Sequence, residues 1–396
     1  MIWGTELRRY LVVLVAAAGL LLAGCSSKQR LEPVPTPLQA IASAFSAKPV
    51  WKYRLPLATG RLHGFSQQFA VADDHVFVTD DTGKVDTLSL DRGRRQWRYE
   101  TGLTLSSGVS AGQGLVLAGG SNGEVVAIGA DDGELRWQGN VSSEVLAPPV
   151  VNDDVVVVHS IDGRLTALSA DDGRYLWSYQ AQVPTLSLHG LSAPLFYQGR
   201  VVVGLADGRV VALNQRDGEV LWETTVAVPH GRSELERLVD IDADLVQFDG
   251  VLYAGAYQGR VIAVDMRTGL LLWAREMSVY RGLAVDDDAV YVVDDQDGIW
   301  ALSRRNGDTL WKQEGLLIRS VTAPLLVDGS VAVGDVDGYL HWLKREDGGF
   351  VARARVGQKP VIVLQKDSDD ALYVVTEDGH MTKLITAENK GVGLKK

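Results

Sequence analysis

The 396-residue sequence predicts an all-β fold, an eight-bladed β-propeller with four antiparallel strands in each blade. One observation is a repeat with a period of about 40 residues, the length that four-stranded propeller blades need. A second is that nearly every repeat ends in an aromatic residue. A third is that the last repeat lacks this residue, while Trp51 supplies one at the start of the repeat region.

Each repeat has a hydrophobic strand, an Asp-Gly or Asn-Gly turn, an alternating strand, a second glycine turn and a strand ending in tryptophan. One copy runs from Val155 to Trp177, and the next runs from Val201 to Trp222. Asn-Gly and Asp-Gly between alternating strands favour two-residue hairpins, in which both turn residues take a positive φ. The glycines that mark the first turn of each repeat are Gly83, Gly123, Gly163, Gly208, Gly259, Gly298, Gly338 and Gly379.

The aromatic residues that end the repeats predict how the ring is held together. They are Trp97, Trp137, Trp177, Trp222, Trp273 and Trp311, with Phe350 expected in the same place in the seventh repeat. Such side chains supply a large rigid apolar surface between neighbouring blades. We expect the strand around Trp51 to pair with the C-terminal strands near 372–375 and 381–384, so that one blade is built from both ends. A solenoid or a two-domain sandwich is the architectural alternative.

The N-terminus has the layout of a signal peptide. Arg8 and Arg9 precede an apolar run from Leu11 to Leu22, which is short for a transmembrane helix of about 20 residues. Small residues then lead to Cys25, the one cysteine of the chain. The prolines that follow predict a semi-rigid spacer, within which Leu38, Ile41, Ala42 and Phe45 have the spacing of a short amphipathic helical turn. The predicted organisation is therefore a signal peptide (1–24), a lipidated proline-rich tether (25–48), the propeller (49–386) and a C-terminal tail (387–396).

Composition and motifs argue against several classes of function. The formal net charge of −11 argues against a nucleic-acid partner, because an acidic surface repels phosphate. Aspartate pairs such as Asp131-Asp132 fall at glycine turns and lack the calcium-loop pattern. The seven histidines are scattered singly, without zinc-ligand spacing. No nucleophile elbow, phosphate loop or dinucleotide fingerprint is present. We therefore expect no catalytic residue, no metal and no cofactor.

Two resemblances cover the repeat and the N-terminus. The Asp-Gly, Ala-Leu, Gly and Trp repeat resembles that of the quinoprotein propellers, which include dehydrogenases; those enzymes carry an adjacent cysteine pair that this chain lacks. Leu22-Ala23-Gly24-Cys25 resembles the bacterial lipobox. This resemblance implies acylation of Cys25 and anchoring in a membrane, since several acyl chains anchor stably. Ser26, in place of an aspartate, favours the outer membrane, with the protein on its periplasmic face.

Three further segments, 186–190, 236–242 and 334–342, resemble the BamB family of lipoproteins. The resemblance implies a non-enzymatic scaffold of the outer-membrane β-barrel assembly machinery that binds the POTRA domains of BamA through two neighbouring loops. It leaves open direct contact with unfolded outer-membrane proteins. Where the family often has arginine, this chain has His189, which would make any salt bridge there weaker or pH-dependent. The implied partner-binding residues are Leu186, Leu188, His189, Arg237, Asp240 and Asp242.

The repeat spacing also singles out the segments 186–190 and 236–242. The distance between closing tryptophans grows from 40 residues (Trp137 to Trp177) to 45 (Trp177 to Trp222) and 51 (Trp222 to Trp273). The additional residues predict longer loops, and long loops on a rigid scaffold commonly carry binding sites. Two readings stay open beside this one. The leucines could belong to strand core and the aspartates to turns, or the propeller could bind a different envelope protein.

Overall fold

The computed structural model describes residues 34–55, 69–72, 74–80, 82–184, 191–227, 241, 244–279 and 281–388. The chain divides into two units, Met1–Val34 and Pro35–Lys396, and all described strands belong to the second. These strands form eight four-stranded antiparallel sheets arranged as the blades of a ring, which confirms the predicted eight-bladed β-propeller. The described ranges contain no helix long and apolar enough to cross a bilayer.

The blades follow one another along the chain. Blade 1 contains β2 (Phe69–Ala72), β3 (His75–Thr79), β4 (Lys84–Ser89) and β5 (Arg95–Glu100), and blade 2 contains β6 (Leu105–Gly112), β7 (Leu115–Gly120), β8 (Glu124–Gly129) and β9 (Leu135–Asn140). Blade 3 contains β10 (Val150–Asn152), β11 (Val155–His159), β12 (Arg164–Ser169) and β13 (Tyr175–Gln180), and blade 4 contains β14 (Leu195–Tyr197), β15 (Arg200–Gly204), β16 (Arg209–Asn214) and β17 (Val220–Thr225). Blade 5 contains β18 (Val246–Phe248), β19 (Val251–Gly255), β20 (Arg260–Asp265) and β21 (Leu271–Glu276). Blade 6 contains β22 (Leu283–Val285), β23 (Ala289–Val293), β24 (Ile299–Ser303) and β25 (Thr309–Gln313). Blade 7 contains β26 (Leu325–Val327), β27 (Ser330–Gly334), β28 (Tyr339–Lys344) and β29 (Phe350–Arg355). Blade 8 combines β30 (Val361–Lys366), β31 (Leu372–Thr376) and β32 (His380–Glu388) with β1 (Phe45–Arg54).

Blade 8 closes the ring by joining the two ends of the chain. Strand β1 pairs antiparallel with β32, with Trp51 opposite Lys383. This confirms the predicted closure by N- and C-terminal strands. The pairing begins at Phe45, so the first strand extends four residues before position 49. First strands of neighbouring blades contact one another around the axis, and the fourth strand of each blade forms the rim.

The closing tryptophans connect each blade to the next one through the same pair of contacts. The Nε1–H of Trp137 donates to the carbonyl oxygen of Ala170 at 2.7 Å. The same ring lies against Gly173 in the turn of the next blade, where an added Cβ would be 2.5 Å from the indole. Seven tryptophans repeat both contacts, and they are Trp51, Trp97, Trp137, Trp177, Trp222, Trp273 and Trp311.

Blade 7 departs from this rule, and the prediction for Phe350 is wrong. In blade 6 the rim residue Trp311 pairs with Ala301 on the third strand. In blade 7 the equivalent rim residue is Ala352, and its partner on the third strand is Trp342. The β-bulge directly before the closing position is the same in both blades. The closing residue lies four positions after the turn glycine, at Trp311 after Gly307 and at Ala352 after Gly348, so Phe350 comes two positions too early.

The predicted two-residue turns between second and third strands are also wrong in detail. Four residues, Ser160 to Gly163, separate β11 from β12, and only the glycine has a positive φ, of 77°. The aspartate contributes through its side chain, because Asp162 accepts hydrogen bonds from Ser160 Oγ at 2.8 Å and from the backbone N–H of Arg164 at 3.2 Å. Asp-Gly thus marks the turn correctly but by a different geometry.

Residues 35–44, here called the N-terminal strap, pack on blades 6 and 7. The backbone N–H of Thr36 donates to Leu317 O at 3.0 Å, and that of Ala44 donates to Val351 O at 2.9 Å. Leu38 packs against the apolar core between these blades. The strap has no helical turn, and Phe45 lies in β1, so the predicted amphipathic turn is wrong. Backbone hydrogen bonds to the propeller take the place of those within a helix.

Candidate partner-binding face

The predicted lipidation site and the predicted partner-binding residues all lie outside the described residues. They are Cys25, Leu186, Leu188, His189, Arg237, Asp240 and Asp242. The structure does describe the ends of the two segments that carry the six partner-binding residues. The first segment, 185–190, is bounded by Pro184 and Leu191, and the second, 228–243, contains the described Ile241.

The topology brings the ends of both segments to one face of the propeller. Each segment connects the rim strand of one blade to the first strand of the next: β13 to β14, and β17 to β18. Because strands alternate in direction within a blade, such connections leave from the same face as the turns between second and third strands. Blade 4 lies between the two segments. We call this side of blades 3, 4 and 5 the connection face.

The end of the first segment is fixed by a buried histidine. The Nδ1 of His159 lies 3.2 Å from the carbonyl oxygen of Ser192, and both residues are buried. Since a carbonyl only accepts, Nδ1 carries the proton in this contact. Burial lowers the pKa of His159 to about 4, so the ring is neutral at neutral pH. A neutral, buried donor therefore holds the chain two residues after the first segment.

The second segment is fixed at both described points. Ile241 is 1% exposed. It lies so close to Gly204 that an added Cβ would be 2.5 Å from the Ile241 Cγ2. At the start of the segment, the backbone N–H groups of Val226 and Ala227 donate to Gly208 O at 2.8 and 3.1 Å. The backbone on either side of Ile241, which carries the two predicted aspartates, is thus covalently tied to a buried anchor on blade 4.

Paired charges lie on blade 4 between the two segments, and sequence analysis did not identify them. Arg209 contacts Asp207 at 2.6 Å and Glu223 at 2.7 Å. The hydrogen bond that the Arg209 guanidinium donates to Asp207 raises the pKa of this guanidinium. Because Asp207 belongs to a repeated turn motif, its sequence signal was that of a turn. The useful signal was the alternation along β16 and β17, which places Arg209 and Glu223 on the same side of the sheet.

An exposed apolar side chain adjoins the first segment. Val183 is 42% exposed and packs against the turn of blade 3. An added Cβ at Gly163 in this turn would lie 2.5 Å from Val183 Cγ2. Within the described ranges, no three His, Cys, Asp or Glu side chains are grouped as a metal site. The connection face therefore offers a rigid support with an apolar side chain and paired charges, which are features of a surface for binding a protein.

The fold and this face define a class: a β-propeller of the quinoprotein repeat type whose long connections gather on one face. Solved structures agree on the fold. The quinohemoprotein alcohol dehydrogenase from Comamonas testosteroni is 13% identical, with a TM-score of 0.67 over 85% of this chain and 76% of that chain. At this identity the similarity concerns the fold alone.

The family model described as "Outer membrane protein assembly factor BamB" matches residues 83–313. The relative of that name from Alkalilimnicola ehrlichii is 42% identical, covering 96% of this chain and 98% of its own length. The one from Escherichia coli K12 is 35% identical, covering 91% and 94%. The crystal structure of BamB from Moraxella catarrhalis is 29% identical, with a TM-score of 0.78 over 86% of this chain and 99% of that chain. The chain belongs to the BamB family of outer membrane protein assembly factors.

The family assignment confirms the prediction that this protein is not an enzyme. The curated relatives are named as an assembly factor, and the dehydrogenases share only the propeller.

Proposed function

We propose that this protein is a lipid-anchored scaffold of the outer-membrane β-barrel assembly machinery, and that it binds the POTRA domains of BamA to assist folding and insertion of outer-membrane proteins. The observation that carries the proposal is that the ends of both long connections are held on one face, Ser192 by His159 of blade 3 and Ile241 against Gly204 of blade 4. The relatives' name, outer membrane protein assembly factor, supports the assembly role.

The contact with the partner is proposed to combine apolar anchors with charged neighbours. Leu186 and Leu188 supply the apolar side chains, and Asp240 and Asp242 supply carboxylates that match a basic partner surface. The short distance of both aspartates from the buried Ile241 limits the backbone entropy that binding would cost. His189 and Arg237 contribute positive charge, and the share from His189 depends on pH because an unperturbed histidine titrates near 6.5.

The anchor is proposed to be the acylated Cys25, at the periplasmic face of the outer membrane. Three features of the sequence support it: the basic start, the short apolar run and the small residues that directly precede the cysteine. Mass spectrometry of the mature N-terminus tests the anchor by itself. An unmodified thiol at Cys25 would overturn it.

Purification from native outer membranes in a mild detergent tests the assembly role. We expect the POTRA-bearing barrel protein BamA to copurify with this protein and to remain bound after washing in moderate salt. Recovery of the propeller alone, or with an unrelated envelope protein, would overturn the proposed function. The fold and the family would remain.

A further inference from the structure

The rim of the propeller is unevenly charged. The rim strands of blades 7, 8 and 1, which are β29, β1 and β5, carry seven basic side chains and one acidic side chain. The other five rim strands together carry three basic and two acidic side chains. We call the first group the basic rim. It is unexpected in a chain whose formal net charge is −11. Its basic residues are Lys48, Lys52, Arg54, Arg95, Arg98, Arg353 and Arg355.

The centre of the basic rim is formed by charges without ion pairs. Lys48 and Lys52 are exposed and form no ion pair with any residue that the structure describes. Between them, Val50 is 44% exposed at the β-bulge of β1. The turn of blade 1, in which Gly93 lies against the Trp51 ring, carries the exposed Arg94 next to an ion pair between Arg92 and Asp91. This arrangement of an apolar side chain among unpaired cations suits an anionic interface.

The N-terminal strap leads directly into β1 and contacts β29 of the basic rim. Arg353 lies in β29, and its backbone N–H donates to Ser43 Oγ at 3.1 Å. Its guanidinium Nη1 donates to Gln39 O at 2.6 Å. Since the strap is fixed from Thr36 onward, only the residues between Cys25 and Pro35 remain to span the distance to the anchor. Ten residues extend at most about 35 Å.

We propose that the basic rim rests on anionic phospholipid headgroups of the bilayer that holds the acylated Cys25. The proposal rests on the lipid anchor of the proposed function. Attraction between Lys or Arg and an anionic membrane acts over about one Debye length, roughly 8 Å at physiological salt, so it requires the proximity that a short tether provides. Lipid is favoured over an acidic protein because the basic strand directly continues the strap that follows the anchor.

This orientation leaves the connection face free. In a ring of eight blades, blade 4 lies across from blade 8. A propeller that contacts the bilayer through β1 therefore points blade 4, with Ile241 and Arg209, away from the membrane. The lipid contact and the proposed contact with POTRA domains can be made at the same time.

A single fluorescent label on the full acylated chain tests the proposal. The Val50→Cys variant offers one free thiol, because acylation blocks Cys25. We expect an environment-sensitive label at position 50 to shift to the blue in vesicles of phosphatidylcholine with phosphatidylglycerol, and not in phosphatidylcholine alone. About 1 M salt, where the Debye length is about 3 Å, should reverse the shift. Leu221→Cys is the matched control, since Leu221 occupies the equivalent bulge of β17 on blade 4 and is 47% exposed.

Charge reversal separates the possible causes of a shift. Lys48→Glu with Lys52→Glu should abolish it, because each charge near an anionic surface changes association about fivefold. The control variant Arg216→Glu with Arg305→Glu changes two exposed turns outside the basic rim, and it should leave the shift unchanged. If the chain floats with the vesicles but its label does not shift, this proposal alone is overturned. The same holds if the label shifts in phosphatidylcholine without the anionic lipid, or if it shifts only when BamA is present. A chain that does not float would overturn the lipid anchor, and this proposal with it.

Discussion

Trp342 on β28 lies opposite Ala352 on β29, so blade 7 has its tryptophan on the third strand and its alanine on the fourth. In blade 6 the two are exchanged, with Ala301 on the third strand and Trp311 on the fourth. Trp342 is fully buried and packs edge-on against Phe45, with ring centroids 5.4 Å apart. Its Nε1 has no hydrogen-bond partner among the described residues. Blade 7 thus meets blade 8 through aromatic packing, where the other junctions add a hydrogen bond to the next turn.

Replacing tryptophan by phenylalanine should therefore cost less at position 342 than at position 137. Trp137→Phe removes a buried hydrogen bond to Ala170 O, whereas Trp342→Phe removes a donor that has no partner. We expect Trp137→Phe to lower the free energy of unfolding by about 1 kcal/mol more than Trp342→Phe. Urea unfolding followed by circular dichroism measures both values. Equal costs, or a larger cost at 342, would show that the hydrogen bond does not stabilise the junction.

A second pair of variants isolates the contact between tryptophan and glycine. Gly173 and Gly199 have similar φ values, 70° and 74°. An added Cβ at Gly173 would lie 2.5 Å from the Trp137 ring, while at Gly199 nothing lies within 4 Å. Gly199→Ala measures the cost of a positive φ, and Gly173→Ala adds the overlap with the ring. We expect the second change to cost about 1–3 kcal/mol more in urea unfolding. If the two costs agree, the blades do not pack as tightly as described.

The buried His159 predicts how stability depends on pH. Its pKa is about 4 in the folded chain, against about 6.5 when unfolded. Between these values the unfolded chain binds a proton that the folded chain does not, so stability falls as pH falls from 6.5 toward 4. Between pH 7.5 and pH 5, this histidine should account for a loss of about 2 kcal/mol.

The His159→Gln variant tests this assignment, because glutamine keeps an N–H donor and does not titrate. Its unfolding free energy should change by about 2 kcal/mol less than that of the wild type between the two pH values. His341, whose pKa is also lowered by burial, contributes equally to both chains. An unchanged pH dependence in the variant would mean that His159 is not the buried neutral group described.

Much of the fold could be predicted because its signals are local. The turn at Gly163 and the tryptophan at 177 belong to a pattern that recurs along the chain. The strand that carries Trp177 continues to Gln180, three residues beyond the predicted end. The closing position of blade 7 could have been predicted from spacing, because Ala352 follows Gly348 by four residues as Trp311 follows Gly307. The packing of Trp342 against Phe45 could not, because the two residues lie far apart in the chain. The docking of the strap was equally hidden, because its partners lie far along the chain. Arg353, for example, is 314 residues from Gln39.

The candidate site was predicted in a different way. Loop length and family resemblance indicated Leu186, Leu188, Asp240 and Asp242, but both signals concern segments and not contacts. The supports of those segments had no local signal. Ile241 has the composition of any core residue, and its role follows from the absence of a side chain at Gly204, which is remote in sequence.

The affinity of the acylated protein for the isolated POTRA domains of BamA tests the central claim most directly. It should be measured for the wild type, for Asp240→Arg with Asp242→Arg, and for Asp287→Arg with Asp288→Arg. The last pair reverses two exposed carboxylates in a turn on the opposite face of blade 6. We predict that reversal at 240 and 242 weakens binding at least 30-fold, the effect of about 2 kcal/mol, and that the control binds as the wild type. Binding that is unchanged by the first pair would contradict the claim that the two long connections form the partner-binding site.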